Sequence, residues 1–139
     1  MEQAKILVVE DDVDNRYILA LRLRYWGMFA IREAPNGQEA LDSITQEPPD
    51  VVLLDLKLPV LDGWETARRI RALPAPLNQL PIIAVTAQAM PGDSEKAVAA
   101  GCDEYLAKPI DFRELQEKLE RLLTRRRPAC LADGAVRQS

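Results

Sequence analysis

The chain has 139 residues, of which 47% are hydrophobic, and it carries a formal net charge of −4 at pH 7. This length fits one ordinary domain with a substantial core, and the acidic balance argues against a broad nucleic-acid-binding surface. The sequence contains no histidine, which excludes a Ser-His-Asp or Cys-His catalytic site within it and removes the commonest metal ligand.

Cysteine usage and the N-terminal residues indicate the compartment. The two cysteines, Cys102 and Cys130, make no disulfide framework and fit a reducing environment. The first apolar run, residues 6–9, has only four residues, which is too short for a signal peptide or a membrane span. We therefore expect a cytoplasmic protein.

Apolar runs typical of buried strands alternate with segments of helical periodicity along the chain. The predicted strands cover residues 5–9, 28–33, 51–54, 81–85 and 104–107. The predicted helices cover residues 14–26, 37–46, 63–73, 93–100 and 111–127, with Pro128 ending the last one. Five strand-then-helix units predict an α/β fold, a parallel sheet with helices on both faces. The simplest topology is the doubly wound, flavodoxin-like order 2-1-3-4-5.

Two of the predicted helices differ in how strongly they can be anchored. The first has an apolar stripe, with further apolar residues beside it. The stripe consists of Leu19, Leu23 and Trp26, and beside it lie Ile18, Leu21 and Tyr25. The fourth helix, residues 93–100, offers only Val98 as a large apolar anchor. Few buried apolar contacts predict low local stability for this fourth helix.

Polar side chains follow four of the predicted strands. Glu10, Asp11 and Asp12 follow the first strand, Asp55 the third, Thr86 the fourth and Lys108 the fifth. In a doubly wound sheet, ligands bind outside the carboxyl ends of the strands at the point where the strand order reverses. The first, third and fourth strands are neighbours there, so we expect these side chains to share one rim.

The chemistry of that rim indicates a metal and phosphoryl transfer. Clustered carboxylates repel one another unless a cation lies among them, and oxygen ligands without His or Cys favour Mg²⁺. Acids, a metal, a hydroxyl and a lysine together suit phosphoryl transfer. A carboxylate such as Asp55 can be the nucleophile and form an aspartyl phosphate.

Taken singly, each of these residues has a plainer interpretation. An Asp after a strand is a turn former or helix cap in roughly 80% of cases, and acids such as Glu10, Asp11 and Asp12 favour a helix N-terminus. Thr86 alone would be a strand residue or a cap, and Lys108 alone would be a surface residue. Their occurrence together, each at a strand end and in this order, favours the site.

Four segments carry these residues: ILVVEDDVDNRYIL, VVLLDLKLPVLDG, PIIAVTAQAMPGD and AGCDEYLAKPI. In residue type, order and spacing they resemble the receiver domain of two-component response regulators, here of the stand-alone, single-domain type. The resemblance covers about residues 5–123. It divides the chain into a receiver domain, residues 1–124, and a basic helix end and tail, residues 125–139.

The resemblance implies a role for each matching residue. Asp55 would be the phosphate acceptor, and Mg²⁺ would be held by Asp11 directly, by Glu10 through water, by Asp55 and by the backbone carbonyl of Lys57. Thr86 and Lys108 would contact the phosphoryl group. Tyr105 would be the aromatic switch residue beside Thr86, and the Lys108–Pro109 peptide bond would be cis. Such a receiver is not an enzyme in the usual sense, although it catalyses its own phosphorylation and dephosphorylation.

The resemblance also implies partners. A sensor histidine kinase or a histidine phosphotransfer protein would supply the phosphohistidine, and no output domain is expected in this sequence. The signal would leave through the fourth helix, fifth strand and fifth helix to a downstream protein or to a second copy of the chain. We expect no direct nucleic-acid partner and no membrane partner.

Other functions fit the residues less well. An Mg²⁺-dependent phosphohydrolase with an Asp nucleophile would have a second Asp two positions after Asp55, where this sequence has Lys57. A nucleotide-binding module would need glycines in the first βα turn, which here reads VEDDVDNR. Nucleic-acid binding through residues 125–127, three arginines, is less favoured than their interaction with a helix C-terminus.

Overall fold

The computed structural model describes residues 4–27, 29–58, 60–86 and 91–134, with side chains up to residue 124 apart from Ser94. The strands are β1 (Ala4–Val9), β2 (Phe29–Ala34), β3 (Val51–Asp55), β4 (Ile82–Thr86) and β5 (Glu104–Ala107). The α-helices are α1 (Val13–Tyr25), α2 (Gly37–Gln46), α3 (Gly63–Arg71), α4 (Asp93–Ala99) and α5 (Phe112–Gly134), and a 3₁₀ turn, η1, covers Leu77–Gln79.

The five strands form one parallel sheet in the order β2-β1-β3-β4-β5. This confirms the predicted α/β fold class and the 2-1-3-4-5 topology. All five residues of β3 are buried, because β3 is the central strand and has helices on both faces. This position explains its continuous apolar run, which is typical of a fully covered parallel strand.

Each face of the sheet has its own hydrophobic core. On one face, α1 and α5 pack through Leu19 and Leu23 and through Leu115, Leu119 and Leu122. On the other face, α2, α3 and α4 pack mainly through small or branched residues: Ala40, Ile44, Ala67, Ile70 and Ala97. The alternation of side chains along the strands sends successive residues to opposite faces, so the two cores share every strand.

The helix starts follow local capping rules. The side chains of Asp12, Asn36 and Asp62 accept hydrogen bonds from the backbone N–H groups three positions later, at distances of 2.8 to 2.9 Å. Each cap satisfies a donor that the first helical turn leaves unpaired. The capped start of α1 therefore fixes where the short connection after β1 ends.

Two helix ends differ from the prediction. α3 ends at Arg71 rather than at residue 73, because Pro74 disfavours the helical conformation at the residue before it. The prediction that Pro128 ends the last helix is wrong, since α5 continues to Gly134. A proline removes one hydrogen bond from a helix, and the helix-favouring alanine and leucine residues at 129, 131 and 132 support its continuation.

The anchoring predicted for α4 needs correction, and the structure shows which apolar residues of α1 are buried. Val98 is 68% exposed and does not anchor α4, which instead buries the small residue Ala97, while Ala100 is buried just after the helix ends. On α1, Leu23 is buried, but Ile18, Leu21 and Tyr25 are 52% to 84% exposed. The helical period places these three residues one position away from the core-facing stripe, so they leave an apolar face in contact with solvent.

Candidate functional site

The predicted site residues come together at the carboxyl edge of the sheet. Glu10 directly follows β1, Asp55 and Thr86 are the last residues of β3 and β4, and Lys108 directly follows β5. The strand register pairs Asp55 with Val85 and Thr86 with Ala107. Parallel strands end at the same edge, so one end of the sheet collects side chains from four segments distant in sequence.

Three carboxylates form the centre of this edge. Glu10, Asp11 and Asp55 each offer an oxygen, and these oxygens lie within 4.8 Å of one another. Glu10 and Asp55 are only 4% and 5% exposed, whereas Asp11 is open to solvent. Burial and the neighbouring charge of Asp55 raise the pKa of Glu10, although its hydrogen bond with Lys108 acts in the opposite direction. Without a counter-charge this cluster is electrostatically unfavourable.

Lys108 supplies a positive charge to the cluster. Its Nζ lies 2.8 Å from Glu10 Oε1 and 3.3 Å from Asp55 Oδ2. Burial is the largest influence on its pKa and acts to lower it, but the hydrogen bond to Glu10 and the charges of both acids outweigh burial and raise the pKa. Lys108 is therefore an ammonium at neutral pH. The peptide bond between Lys108 and Pro109 is cis.

The backbone after Asp55 is held close to the start of α3. The amide of Lys57 donates to Asp55 Oδ1 at 3.0 Å, while its side chain is exposed. The amide of Gly63 donates to the carbonyl of Leu56 at 3.1 Å. A Cβ on Gly63 would collide with the backbone of Asp55 and Leu56. Glycine at this position therefore allows α3 to begin against the strand end that carries Asp55.

Thr86 and Tyr105 lie on the adjacent strands β4 and β5. Thr86 is 4% exposed, and Tyr105 pairs in register with Ala84, two residues before Thr86. The hydroxyl of Tyr105 is buried and has no hydrogen-bond partner among the described residues. Burial, followed by the charge of Asp93, raises the pKa of this hydroxyl. A buried hydroxyl that has no hydrogen bond costs free energy.

The apolar face of α1 extends away from the acidic cluster. A groove of about 450 Å³ runs beside Glu10 and Lys108 and is lined further out by Ile18 and Phe112. A second groove of about 530 Å³ continues from Ile18 and Phe112 to Tyr25. Ile18, Leu21 and Tyr25, which lie beside the core stripe of α1, were the sequence signal for this surface. Sequence periodicity alone did not show that they are exposed.

The donor set fits a magnesium ion. Three carboxylates converge, two of them at buried positions, and Mg²⁺ is bound in proteins by one or two carboxylates together with water and phosphate oxygens. The exposed position of Asp11 leaves the cluster accessible from solvent. The cluster is thus compatible with a metal site.

Comparison with known proteins decides the family. The profile described as "Response regulator receiver domain" matches residues 6–120. The chain belongs to the response regulator receiver domain family. This confirms the resemblance seen in the sequence motifs. The receiver domain serves phosphorelay signal transduction, and the phosphohydrolase alternative is not favoured.

Solved receiver domains share both the fold and part of the sequence. The receiver domain of the sensor histidine kinase PA1611 from Pseudomonas aeruginosa, solved with a magnesium ion coordinated in its active-site cleft, is 38% identical with a TM-score of 0.81. The alignment covers 88% of this receiver and 99% of that chain. A second match is the co-crystal structure of the histidine phosphotransfer protein Ypd1 and the receiver domain of Ssk1 from Saccharomyces cerevisiae. It has 34% identity and a TM-score of 0.74, and the alignment covers 84% of this receiver and 86% of the matched chain.

The relatives differ in how much of their length the receiver occupies. The transcriptional regulatory protein PrrA from Mycobacterium tuberculosis is 38% identical over 122 residues, which are 88% of this chain and 51% of PrrA. The chain spans about half the length of several such regulators and 4% of a hybrid histidine kinase. Receiver domains thus occur within longer proteins of different lengths. Among the described residues, no helix of this receiver has the length and apolar character needed to cross a membrane.

Proposed function

We propose that this receiver accepts a phosphoryl group on Asp55 from a phosphohistidine of a sensor histidine kinase or histidine phosphotransfer protein, and that it acts in signalling rather than as an enzyme on other substrates. The observation that carries this proposal is the convergence of Glu10, Asp11 and Asp55 within 4.8 Å, with Lys108 bonded to two of these acids. The cytoplasmic location and the division of the chain at residue 124 stay predictions.

Asp55 is the carboxylate best placed to be the nucleophile. It ends the central strand, and its two oxygens have different partners: Lys57 N–H on Oδ1 and Lys108 Nζ on Oδ2. These contacts hold the carboxylate in one orientation, which lowers the entropic cost of an in-line attack. One Asp55 oxygen would form the new bond to phosphorus as the bond to the donor's imidazole nitrogen breaks, and the bonding electrons leave with the imidazole.

Neighbouring residues would stabilise the charge of the transferred group. Glu10, Asp11, Asp55 and the carbonyl of Lys57 would hold Mg²⁺, which when bound neutralises the carboxylates and the phosphoryl oxygens. Lys108 would move from its carboxylate partners to a phosphoryl oxygen, where it acts as a point charge. The hydroxyl of Thr86 would donate a hydrogen bond to another phosphoryl oxygen. Positioning and charge neutralisation suffice for this chemistry.

The donor histidine must come from another segment or molecule, because this sequence contains none. The grooves beside Glu10 and Lys108 and along α1 offer a docking surface continuous with the acidic cluster. An apolar partner surface could cover Ile18, Leu21 and Tyr25, which are 52% to 84% exposed. We propose that the phosphohistidine protein docks here. The Ypd1–Ssk1 complex is an example of a receiver domain solved with such a protein.

The docking surface can be tested separately from the chemistry. In Leu21→Glu, a charge replaces an exposed leucine that lies away from the carboxylates, so uptake of phosphate from acetyl phosphate should stay unchanged. The donor is the sensor kinase that phosphorylates the unmodified chain fastest in a panel of purified kinases. Phosphoryl transfer from this kinase to the variant should be at least tenfold slower. Equal slowing with both donors would contradict the docking role.

The phosphate acceptor is tested by mass spectrometry after incubation with acetyl phosphate and Mg²⁺. The unmodified chain should gain one base-labile phosphate, and Asp55→Asn should gain none. Asp12→Asn is the matched control, because it removes an exposed acid close to the site and keeps a good helix cap. If Asp55→Asn still takes up a base-labile phosphate, the proposed acceptor is wrong.

For the output, we propose a surface formed by α4, β5 and α5. α4 has seven residues and buries only small side chains among those described, so a modest free energy can shift it. A rearrangement of Thr86 and Tyr105 after phosphorylation would change this surface. A downstream protein or a second copy of the chain would bind the changed surface.

A further inference from the structure

The connection between β1 and α1 carries two of the three clustered acids in only three residues, positions 10–12. Several bonds fix its ends. The amide of Glu10 donates to the carbonyl of Ala34 on β2 at 3.1 Å, and Asp12 caps α1 through the amide of Asn15 at 2.9 Å. Neither bond involves the carbonyl oxygen of Glu10, which belongs to the peptide group between Glu10 and Asp11.

Arg16 on α1 restrains the carbonyl oxygen of Glu10. Its Nη1 donates to the carbonyl oxygen of Glu10 at 2.8 Å, and its Nε donates to Glu33 Oε1 on β2 at 3.3 Å. The Arg16 side chain is only 18% exposed. A guanidinium is a planar, rigid donor, so these two bonds fix it between the helix and the edge strand.

The restrained carbonyl also orients Asp11. A peptide bond is planar, so the carbonyl of Glu10 and the Cα of Asp11 belong to one rigid unit. A bond that holds the Glu10 oxygen therefore sets the direction in which the chain enters Asp11. Asp11 is the exposed member of the cluster, and its carboxylate gains most from a backbone that is already oriented.

We propose that Arg16 is a positioning residue for the metal site: it presets the Glu10–Asp11 peptide so that both carboxylates face a bound Mg²⁺. This inference rests on the proposed function, in which these acids hold the metal. Groups that orient ligands without touching the metal commonly contribute about 10- to 100-fold to its affinity. The reason is that the free protein does not have to order its ligands when the ion binds.

Arg16 also affects the site through its charge, and the two effects have opposite signs. A guanidinium near the cluster repels a cation, so removing its charge alone would tighten Mg²⁺ binding. Removing its directional bonds would weaken binding. Arg16→Lys keeps the charge but not the planar fork, and Arg16→Met removes both.

Arg24 is a matched control for this experiment. It also bonds Glu33, from Nη2 to Oε2 at 3.4 Å, and its second partner is the carbonyl of Ile31 rather than that of Glu10. Arg24→Lys therefore disturbs the same Glu33 carboxylate without disturbing the peptide group of the acidic connection.

The measurement is Mg²⁺ affinity by isothermal titration calorimetry, with unfolding of the metal-free protein measured in parallel. Arg16→Lys should bind Mg²⁺ about tenfold more weakly, whereas Arg24→Lys should stay within twofold of the unmodified chain. The amide NMR signal of Asp11 in the metal-free protein should shift or broaden in Arg16→Lys only. A merely structural role would change the unfolding midpoint and leave the Mg²⁺ affinity of the folded protein unchanged.

Several results would overturn the proposal. One is an Arg16→Lys affinity within twofold of the unmodified chain, including the case where Arg16→Met binds more tightly, which would show an effect of charge alone. Another is equal weakening in Arg24→Lys. If Arg16 variants do not fold, Glu33→Gln tests the same restraint from the β2 side: a smaller loss of affinity is expected, and no loss refutes the role.

The failure of this inference can be distinguished from that of the proposed function. If the unmodified chain does not bind Mg²⁺, or if Asp11→Asn binds it equally well, the metal site itself is wrong and the role of Arg16 falls with it. If Asp11→Asn loses binding while Arg16→Lys keeps it, only the positioning role is refuted.

Discussion

Lys108 and Glu10 are separated by 98 positions in sequence, yet Lys108 Nζ lies 2.8 Å from Glu10 Oε1. The same ammonium lies 3.3 Å from Asp55 Oδ2. Lysine therefore neutralises the same carboxylates that the proposed Mg²⁺ would bind. If Mg²⁺ binds as proposed, the two cations would compete for part of the same negative charge.

Lys108→Met should lower the free energy of unfolding by about 2 kcal/mol in the absence of metal, because it leaves buried carboxylates without their charged partner. The hydrogen bond with Lys108 is also the largest influence that lowers the pKa of Glu10, so its loss should raise that pKa further. Added Mg²⁺ should raise the melting temperature of this variant more than that of the unmodified chain. Thermal unfolding measures both effects when it is recorded without Mg²⁺ and at Mg²⁺ concentrations that rise in tenfold steps.

Lys118→Met is the control for the Lys108 variant. Lys118 has similarly low exposure and bonds Glu104 at 3.0 Å, in a charge cluster separate from the acidic site. Its loss should lower stability and leave the response to Mg²⁺ unchanged. A Mg²⁺ response in Lys108→Met that is no larger than that of the unmodified chain would contradict competition between the two cations.

Asp11→Asn should remove most of the stabilisation by Mg²⁺. A ligand present at 100 times its Kd stabilises the folded state by about 2.7 kcal/mol, and this gain should fall to about 0.4 kcal/mol when the affinity drops about 100-fold. Asp12→Asn removes the same charge one position away and keeps the cap on α1, so it should keep nearly the full gain. An equal response of both variants would remove Asp11 from the metal site.

The ion pairs of Glu104 predict a contribution to stability that depends on pH. Its carboxylate lies 3.0 Å from Lys118 Nζ and 2.8 Å from Arg121 Nη1. Burial acts to raise its pKa, but these bonds and charges together lower it below the ordinary value of 4.5. A group with a lowered pKa stabilises the folded state at pH values above its ordinary pKa. This contribution is lost as the pH falls through the lowered pKa.

Glu104→Gln should therefore cost about 1 kcal/mol at pH 7, and the difference from the unmodified chain should shrink steadily below pH 4.5. Urea unfolding at a series of pH values measures this difference. Glu114→Gln is the control, since Glu114 lies 3.7 Å from Lys118 and is 51% exposed, and its effect should be small at every pH. A cost for Glu104→Gln that does not change between pH 7 and pH 3 would refute the electrostatic explanation.

Beryllofluoride, a mimic of the phosphoryl group, should change the surface of α4, β5 and α5. Amide NMR shifts should extend from Asp55 through Thr86 and Tyr105 into residues 93–107, while Gly37–Gln46 should show little change. The physical reason is that Tyr105 has a buried hydroxyl without a partner among the described residues, next to a short helix with small anchors. Shifts restricted to the acidic cluster, or centred on α2, would contradict this route.

Local sequence patterns were sufficient to predict the fold class. Strand-like runs of four to six residues, separated by capped helical segments, predict a parallel doubly wound sheet because period and capping are local properties. Motif order then predicted which residues would meet at the sheet edge, since parallel strands end on the same side. The family profile and the observed strand order confirmed the family and the topology.

Packing between helices and strands sets the features that local patterns leave open. The helical period of α1 did not show that Ile18 and Leu21 lie outside the core, because exposure depends on where α5 packs. The sequence offered Val98 as the one large apolar anchor of α4, but in the structure Ala97 is buried and Val98 is exposed. The bond from Arg16 to the carbonyl of Glu10 could not be read from residue types, since it joins a side chain to a backbone atom whose direction only the folded chain defines.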